Sequence, residues 1–166
     1  MAAMPTQIVQ ATTPEQLAQA RQLIAEYAAW LGFDLAFQSY EQEMAGLPGK
    51  YAPPGGRLLL AQDGGQPAGC AALRPLGCGV CEMKRLYVRP AFRARGVGRA
   101  LAEGIVAEAR AIGYARLRLD TADTMTQAHG LYHALGFHEI AAYYPVPETL
   151  RPHLTFFELE LNGESR

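Results

Sequence analysis

The sequence predicts an α/β (α+β) fold in which helices pack around one mixed sheet. Three observations predict it. Two hydrophobic runs, 57–62 and 66–74, flank Asp63, Gly64 and Gly65, a turn composition that marks an antiparallel hairpin. Beyond Val88 the pattern becomes strand, helix, strand, helix, strand, which adds a crossover to that meander. The third is size and composition. A chain of 166 residues, 49% hydrophobic and with a formal net charge of −1, reads as one soluble domain over 1–166 with a real core.

The elements follow in order. Residues 7–10 form a short first strand. Thr13, Pro14 and Gln16 give a helix start, with a hydroxyl N-cap, proline at N1 and Gln at N3 as in a capping box. Leu17, Ala20, Leu23, Ile24, Tyr27 and Leu31 recur at helical spacing, and Gly32 stops the helix. Ser39 caps a second short helix over 40–47. Pro48, Gly49, Pro53, Pro54, Gly55 and Gly56 make 48–56 a loop, mobile or ligand-facing. After the hairpin, 75–79 turns again. The next strand, 82–88, ends before Pro90. Leu101, Ile105, Ala109 and Ile112 mark the buried side of a helix over 101–111 that Gly113 ends. Residues 116–120 alternate as a strand does. Residues 124–135 are helical, closed by Gly136, and 137–142 and 154–161 are the final strands.

Between the 82–88 strand and the following helix lie Arg93, Ala94, Arg95, Gly96, Val97, Gly98, Arg99 and Ala100. Glycines let a backbone approach an anion closely. The first N–H groups of a helix lack intrahelical partners, and the helix dipole favours negative charge there. Lys84, Arg85, Arg89, Arg93, Arg95 and Arg99 crowd the stretch, and 83–102 contains no acid. A polyphosphate ligand accounts for such an excess. A dinucleotide fingerprint, with Asp120 as the ribose acid about twenty residues on, is the competitor. It is weakened by Leu101 at the third glycine position and by the basic segment 89–95 ahead of Gly96.

Composition narrows the function classes. A pI near 6.4 argues against nucleic acid as a bulk partner. No apolar run approaches a membrane span, and 1–11 lacks the regions of a secretory signal, so a cytoplasmic setting is expected. Three cysteines do not suggest a disulfide framework. Cys78 and Cys81 match a Cys-x-x-Cys, but in a turn entering a strand rather than at a helix N-terminus. With Cys70 they give one thiolate fewer than a structural zinc needs, so they read as small packing residues and no metal is expected.

The cradle also carries a resemblance. Leu86, Tyr87 and Val88 followed by Arg93-x-x-Gly96-x-Gly98 resemble the acyl-CoA-binding motif of the GCN5-related N-acetyltransferase (GNAT) superfamily. Ala128, Leu131, Tyr132, Gly136 and Phe137 resemble that family's Ala-x-x-Leu-Tyr-x-x-x-Gly-Phe signature, in the right order downstream. The resemblance spans 58–161. It implies a mixed, mostly antiparallel central sheet with helices on both faces, and a splay between the strands ending at Val88 and Asp120. It implies an acetyl-CoA-dependent N-acetyltransferase acting by direct transfer on a primary amine of a small molecule or peptide. Leu86, Tyr87, Val88 and residues Arg93 to Ala100 would bind the CoA. A CoA-binding regulatory or scaffold module is the alternative, and a homodimer is compatible with either.

The resemblance further implies two catalytic residues. Tyr132 would stand beside the CoA sulfur as general acid, since a neutral phenol can protonate a departing thiolate. Glu82 would be the base that takes the amine proton, directly or through a water. A core tyrosine and a solvated glutamate paired with Lys84 or Arg85 are the structural alternatives. Met125 stands where many family members have Asn. His129 shares a helical face with Tyr132, and Tyr143 and Tyr144 are candidates for the acceptor rim.

Overall fold

Seven strands join into one sheet in the order β1-β2-β3-β4-β5-β7-β6. They are β1 (Thr6–Gln10), β2 (Arg57–Asp63), β3 (Gln66–Gly77), β4 (Val80–Val88), β5 (Arg116–Ala122), β6 (His138–Ile140) and β7 (Leu154–Glu160). The helices are α1 (Pro14–Leu31), α2 (Tyr40–Ala45), α3 (Val97–Ile112) and α4 (Thr126–Ala134). This architecture comes from a computed structural model that describes residues 6–31, 40–122 and 126–162. The Gly32 stop, the Ser39 cap, the start of the 124–135 helix and Met125 lie outside the described residues. Among the described residues no helix is long and apolar enough to cross a membrane.

Local chemistry fixes the first helix as the sequence implies. The Thr13 hydroxyl accepts from the Gln16 N–H at 3.1 Å, and the Gln16 side chain accepts from the Thr13 N–H at 3.1 Å. That reciprocal pair is a capping box. α1 and α2 cover one face of the sheet, where Leu23, Ile24, Leu58, Leu60 and Tyr87 form a core. α3 and α4 cover the other, where Leu101 and Ile105 pack with Leu73, Leu117 and Phe157. Burying each such leucine or isoleucine contributes about 1.5–3 kcal/mol. Helices therefore lie on both faces, and α3 ends at Gly113, whose φ of 108° lets the last carbonyls be satisfied.

Two stretches of the β3–β4 hairpin differ from expectation. The 75–79 segment is not a wide turn. β3 continues through Pro75, tolerated because the ladder is irregular between Pro75 and Gly77. Cys78 (φ 57°) and Gly79 (φ 79°) then make a two-residue hairpin loop. The three cysteines do not converge, since Cys70 faces the α1 side and Cys81 the α3 side. Burial pushes the Cys70 and Cys81 thiols up to about 12. Only Cys78 is exposed. One thiol per chain is therefore expected to react promptly with a water-soluble disulfide reagent near neutral pH, and the other two only on unfolding. A second fast thiol in the native protein would contradict this burial.

The second difference lies in β4. Between the pairs Cys70↔Tyr87 and Ala72↔Lys84, two β4 residues stand opposite one of β3, a β-bulge. Arg85 adopts φ 62° there, a left-handed conformation costing about 1–2 kcal/mol for a non-glycine residue. Its buried guanidinium offsets that cost. Nε and Nη2 donate to the two Glu43 carboxylate oxygens at 2.9 and 2.8 Å. Removing one partner of a buried pair typically costs about 3 kcal/mol or more. Glu43→Ala is thus expected to lower Tm by on the order of 10 °C in a thermal melt. A shift of under about 2 °C would mean the bulge holds without Glu43.

Candidate active site

Past Glu82 the sheet opens between β4 and β5. β4 and β5 are parallel, but their ladder holds only Val80↔Arg116, Cys81↔Leu117 and Glu82↔Arg118. Both strands run on past that point, so their C-terminal halves are splayed, as expected. The edge of β4 turned toward β5 carries no ladder after Glu82.

A cavity of about 660 Å³ lies on this opening. Leu86, Tyr87 and Val88 wall it from β4, and Arg93 and Ala94 from the turn. Gly96, Val97, Gly98 and Arg99 wall it from the start of α3, and Ala128, Gly130, Leu131 and Ala134 from α4. Of the expected cofactor residues, Arg95 and Ala100 stand outside the wall. Trp30 and Phe92 belong to it, and Trp30 is half exposed. Neither carries a sequence signal, because α1 reaches the cavity only through tertiary packing.

The start of α3 suits an anion. The helix begins at Val97, not at Leu101 as its apolar spacing suggests, so Gly98 and Arg99 occupy its first turn. Gly96 is the N-cap at φ 81°, with no side chain capping the helix. The first bonded amide is that of Ala100, to Gly96 O at 3.0 Å. The preceding N–H groups therefore face the cavity mouth without intrahelical partners. A Cβ at Gly98 would meet only Val88 Cγ2, at 3.6 Å, an ordinary contact.

The basic crowding of the sequence does not survive folding. Lys84 pairs with Asp120 at 3.6 Å, Arg85 with Glu43, Arg89 with Glu26 at 2.8 Å, Arg95 with Asp63 at 3.5 Å and Arg99 with Glu103 at 2.9 Å. Acids distant in sequence answer Lys84, Arg85, Arg89 and Arg95, while Arg99 is answered by Glu103, one turn along the same helix. Arg93 Nε donates to the Val88 carbonyl at 2.8 Å, and its guanidinium lies 4.6 Å over the Trp30 ring. Arg93 thus shapes the turn, and the first-turn backbone amides of α3 stand at the cradle without intrahelical partners.

Tyr132 is buried against Phe137 and Phe157, with ring centroids 5.6 and 5.7 Å away. Burial, with Tyr27 and Asp120 nearby, raises its pKa well above the ordinary tyrosine value, so the phenol is neutral throughout the physiological range. Its hydroxyl has no hydrogen-bond partner among the described residues. Its α4 neighbours Gly130, Leu131 and Ala134 line the cavity, while Tyr132 itself does not. His129 does not line it either. His129 Nε2 donates to the Ala122 carbonyl at 3.2 Å, and its ring stands edge-on to Phe157.

Glu82 is fully buried, unlike a solvated hairpin glutamate, and its partners are not Lys84 or Arg85. Oε1 accepts from Arg74 Nε at 2.7 Å and Oε2 from the Tyr143 hydroxyl at 2.6 Å. The neighbouring Tyr144 hydroxyl donates to Asp120 Oδ2 at 2.6 Å, and both tyrosine rings stand edge-on to Phe156. Burial, then the charges of Glu82 and Asp120, raise the Tyr143 pKa, so it remains a donor. Arg74 and Asp120 complete this partly buried network on the α1 side of the sheet. Sequence reading misses Arg74 because only the β3–β4 register, which sets Arg74 against Glu82, reveals it.

The model of the acetyltransferase (GNAT) family matches residues 18–137. An uncharacterized N-acetyltransferase of Schizosaccharomyces pombe is 39% identical over 151 residues, covering 90% of this chain and 91% of that protein. Among solved structures, an acetyltransferase of the GNAT family from Staphylococcus aureus superposes with a TM-score of 0.77 at 17% identity, covering 95% of this chain and 100% of its own. A Salmonella typhimurium protein, solved with acetyl-CoA, superposes with a TM-score of 0.67 at 22% identity, covering 97% and 96%. At such identities these two structures bear on the fold.

Proposed function

The chain belongs to the acetyltransferase (GNAT) family, and on that premise we propose that it transfers an acetyl group from acetyl-CoA directly to a primary amine of a small molecule or peptide. The observation that carries the reading is the break of the β4–β5 ladder beside the uncapped N-terminus of α3. The acetyl-CoA bound to the Salmonella protein supports the choice of cosubstrate. Acetyl-CoA supplies an activated thioester. The backbone N–H groups of the first turn of α3 hold its pyrophosphate. The free edge of β4 at Leu86, Tyr87 and Val88 takes the pantetheine amides, and an N–H there polarises the thioester carbonyl. Tyr132 gives its proton to the departing thiolate, and Glu82, through a water, takes a proton from the amine. Holding amine and thioester side by side supplies much of the acceleration.

One observation favours a second reading, a CoA-binding regulatory module without turnover. Both Glu82 oxygens are engaged and none of the side chain reaches solvent. The deciding experiment follows release of CoA thiol across amines, amino acids and peptides. Once an acceptor is found, Glu82→Gln is expected to slow the reaction about 10²-fold near neutral pH. Raising pH should partly restore it, because free amine then forms without help. An unchanged neutral rate removes Glu82 as base, and no turnover with any amine favours the binding module.

A further inference from the structure

We propose that the acceptor is a small amine bearing a carboxylate, as in an α-amino acid, held by Arg74 and Lys50 in a second cavity; this rests on the acetyltransferase reading above. The cavity, about 240 Å³, is walled by Gln42 and Glu43 of α2, by Pro48, Lys50 and Tyr51 of the following turn, and by Arg74 of β3. It shares no wall residue with the larger cavity. Its volume falls below the ~300 Å³ at which drug-sized sites begin, so its occupant is small.

Its chemistry selects an anion. The Glu43 carboxylate on its wall is already spent, with both oxygens bonded to Arg85. The cations are not. Arg74 uses Nε on Glu82, and its two terminal nitrogens have no partner among the described residues. Lys50 has no ion-pair partner among them either. A guanidinium presents several donors in a planar fork, and its terminal nitrogens match a carboxylate. One guanidinium would therefore hold the acceptor carboxylate on one edge and Glu82 on another. An amine one carbon from that carboxylate would then lie on the same face of the sheet as the proposed base, one guanidinium away from it. The 48–56 segment, expected as a mobile or ligand-facing loop, supplies this wall from a short 3-10 turn, Gly49–Tyr51, with Tyr51 buried. Gly56 keeps the turn closed, since a Cβ there would clash with the Lys50 carbonyl oxygen.

The test offers the full-length chain the L-α-amino acids, each beside its carboxamide, with acetyl-CoA saturating and thiol release as readout. At least one amino acid is expected to exceed its amide in kcat/KM by about tenfold or more, the loss a missing charge-assisted pair brings. Lys50→Ala is expected to shrink that preference at least threefold through KM, with kcat retained. Saturation-transfer NMR of the CoA-saturated protein reads the cavity without turnover. Amino-acid signal without amide signal, in a protein that acetylates nothing, keeps the cavity assignment and sinks the transferase reading. Acid and amide acetylated alike, an uncharged amine preferred, or neither series bound or acetylated, each overturns the proposal.

Discussion

Tyr132→Phe is expected to lower kcat by about 10²-fold or more, the usual loss when a positioned acid is removed. CoA affinity should be unchanged. The substitution deletes one hydroxyl and keeps the ring that packs on Phe137 and Phe157. Because that hydroxyl has no hydrogen-bond partner among the described residues, its loss leaves no buried group orphaned, and Tm should stay within about 2 °C. The raised pKa sets the pH behaviour. A phenol neutral across the assay range adds no inflection to the wild-type profile, and its removal gives a deficit that alkali does not repair. Glu82→Gln should differ on that point, since free amine replaces the base as pH rises. Full activity in Tyr132→Phe would leave Tyr132 as a packing residue.

Gly98→Glu should abolish CoA binding in a protein that still folds. At a hundredfold excess over Kd, a ligand stabilises by about 2.7 kcal/mol, roughly 5–10 °C of Tm for a chain of this size. Wild-type protein should show that protection and Gly98→Glu none. Position 98 lies in the first turn of α3 and on the cavity wall, so a carboxylate there meets the pyrophosphate with like charge. The same carboxylate complements the helix dipole, so the ligand-free Tm should hold or rise slightly. Gly98→Ala is the control. Its Cβ meets Val88 Cγ2 at 3.6 Å without a clash, and most of the protection should remain. Unchanged CoA affinity in Gly98→Glu would remove the cradle assignment.

What the sequence made legible was local. The Thr13–Gln16 box, the Gly113 stop and the Asp63–Gly65 hairpin each depend on residues within a turn of one another, and each stands where it was read. The start of α3 was misread because Val97 continues the buried stripe of Leu101 and Ile105 behind glycines that look like loop. The bulge at Arg85 had no local mark at all. Arginine is a poor residue for positive φ, and what holds it there is Glu43, forty-two positions away. The cradle showed the same limit in reverse. Its basic excess was visible in the sequence, while Glu26, Glu43, Asp63 and Asp120, which answer four of its cations, come from other elements, and Glu103 answers Arg99 from within α3. Tyr143 on Glu82 belongs to that same class, whereas Arg74 meets Glu82 across the β3–β4 hairpin.

The parted strands carry a liability of another kind. Where β4 leaves β5, the sheet has an edge in its middle rather than at its margin. A row of unused donors and acceptors on an extended strand is a template for any other extended chain. At the outer margins of the sheet, charge and short strands discourage such recruitment, and β6 spans only 3 residues. At the inner edge those devices would also repel the ligand. What stands beside that edge instead is the start of α3, α4 and the Arg93 turn, which wall the cavity together with Leu86, Tyr87 and Val88.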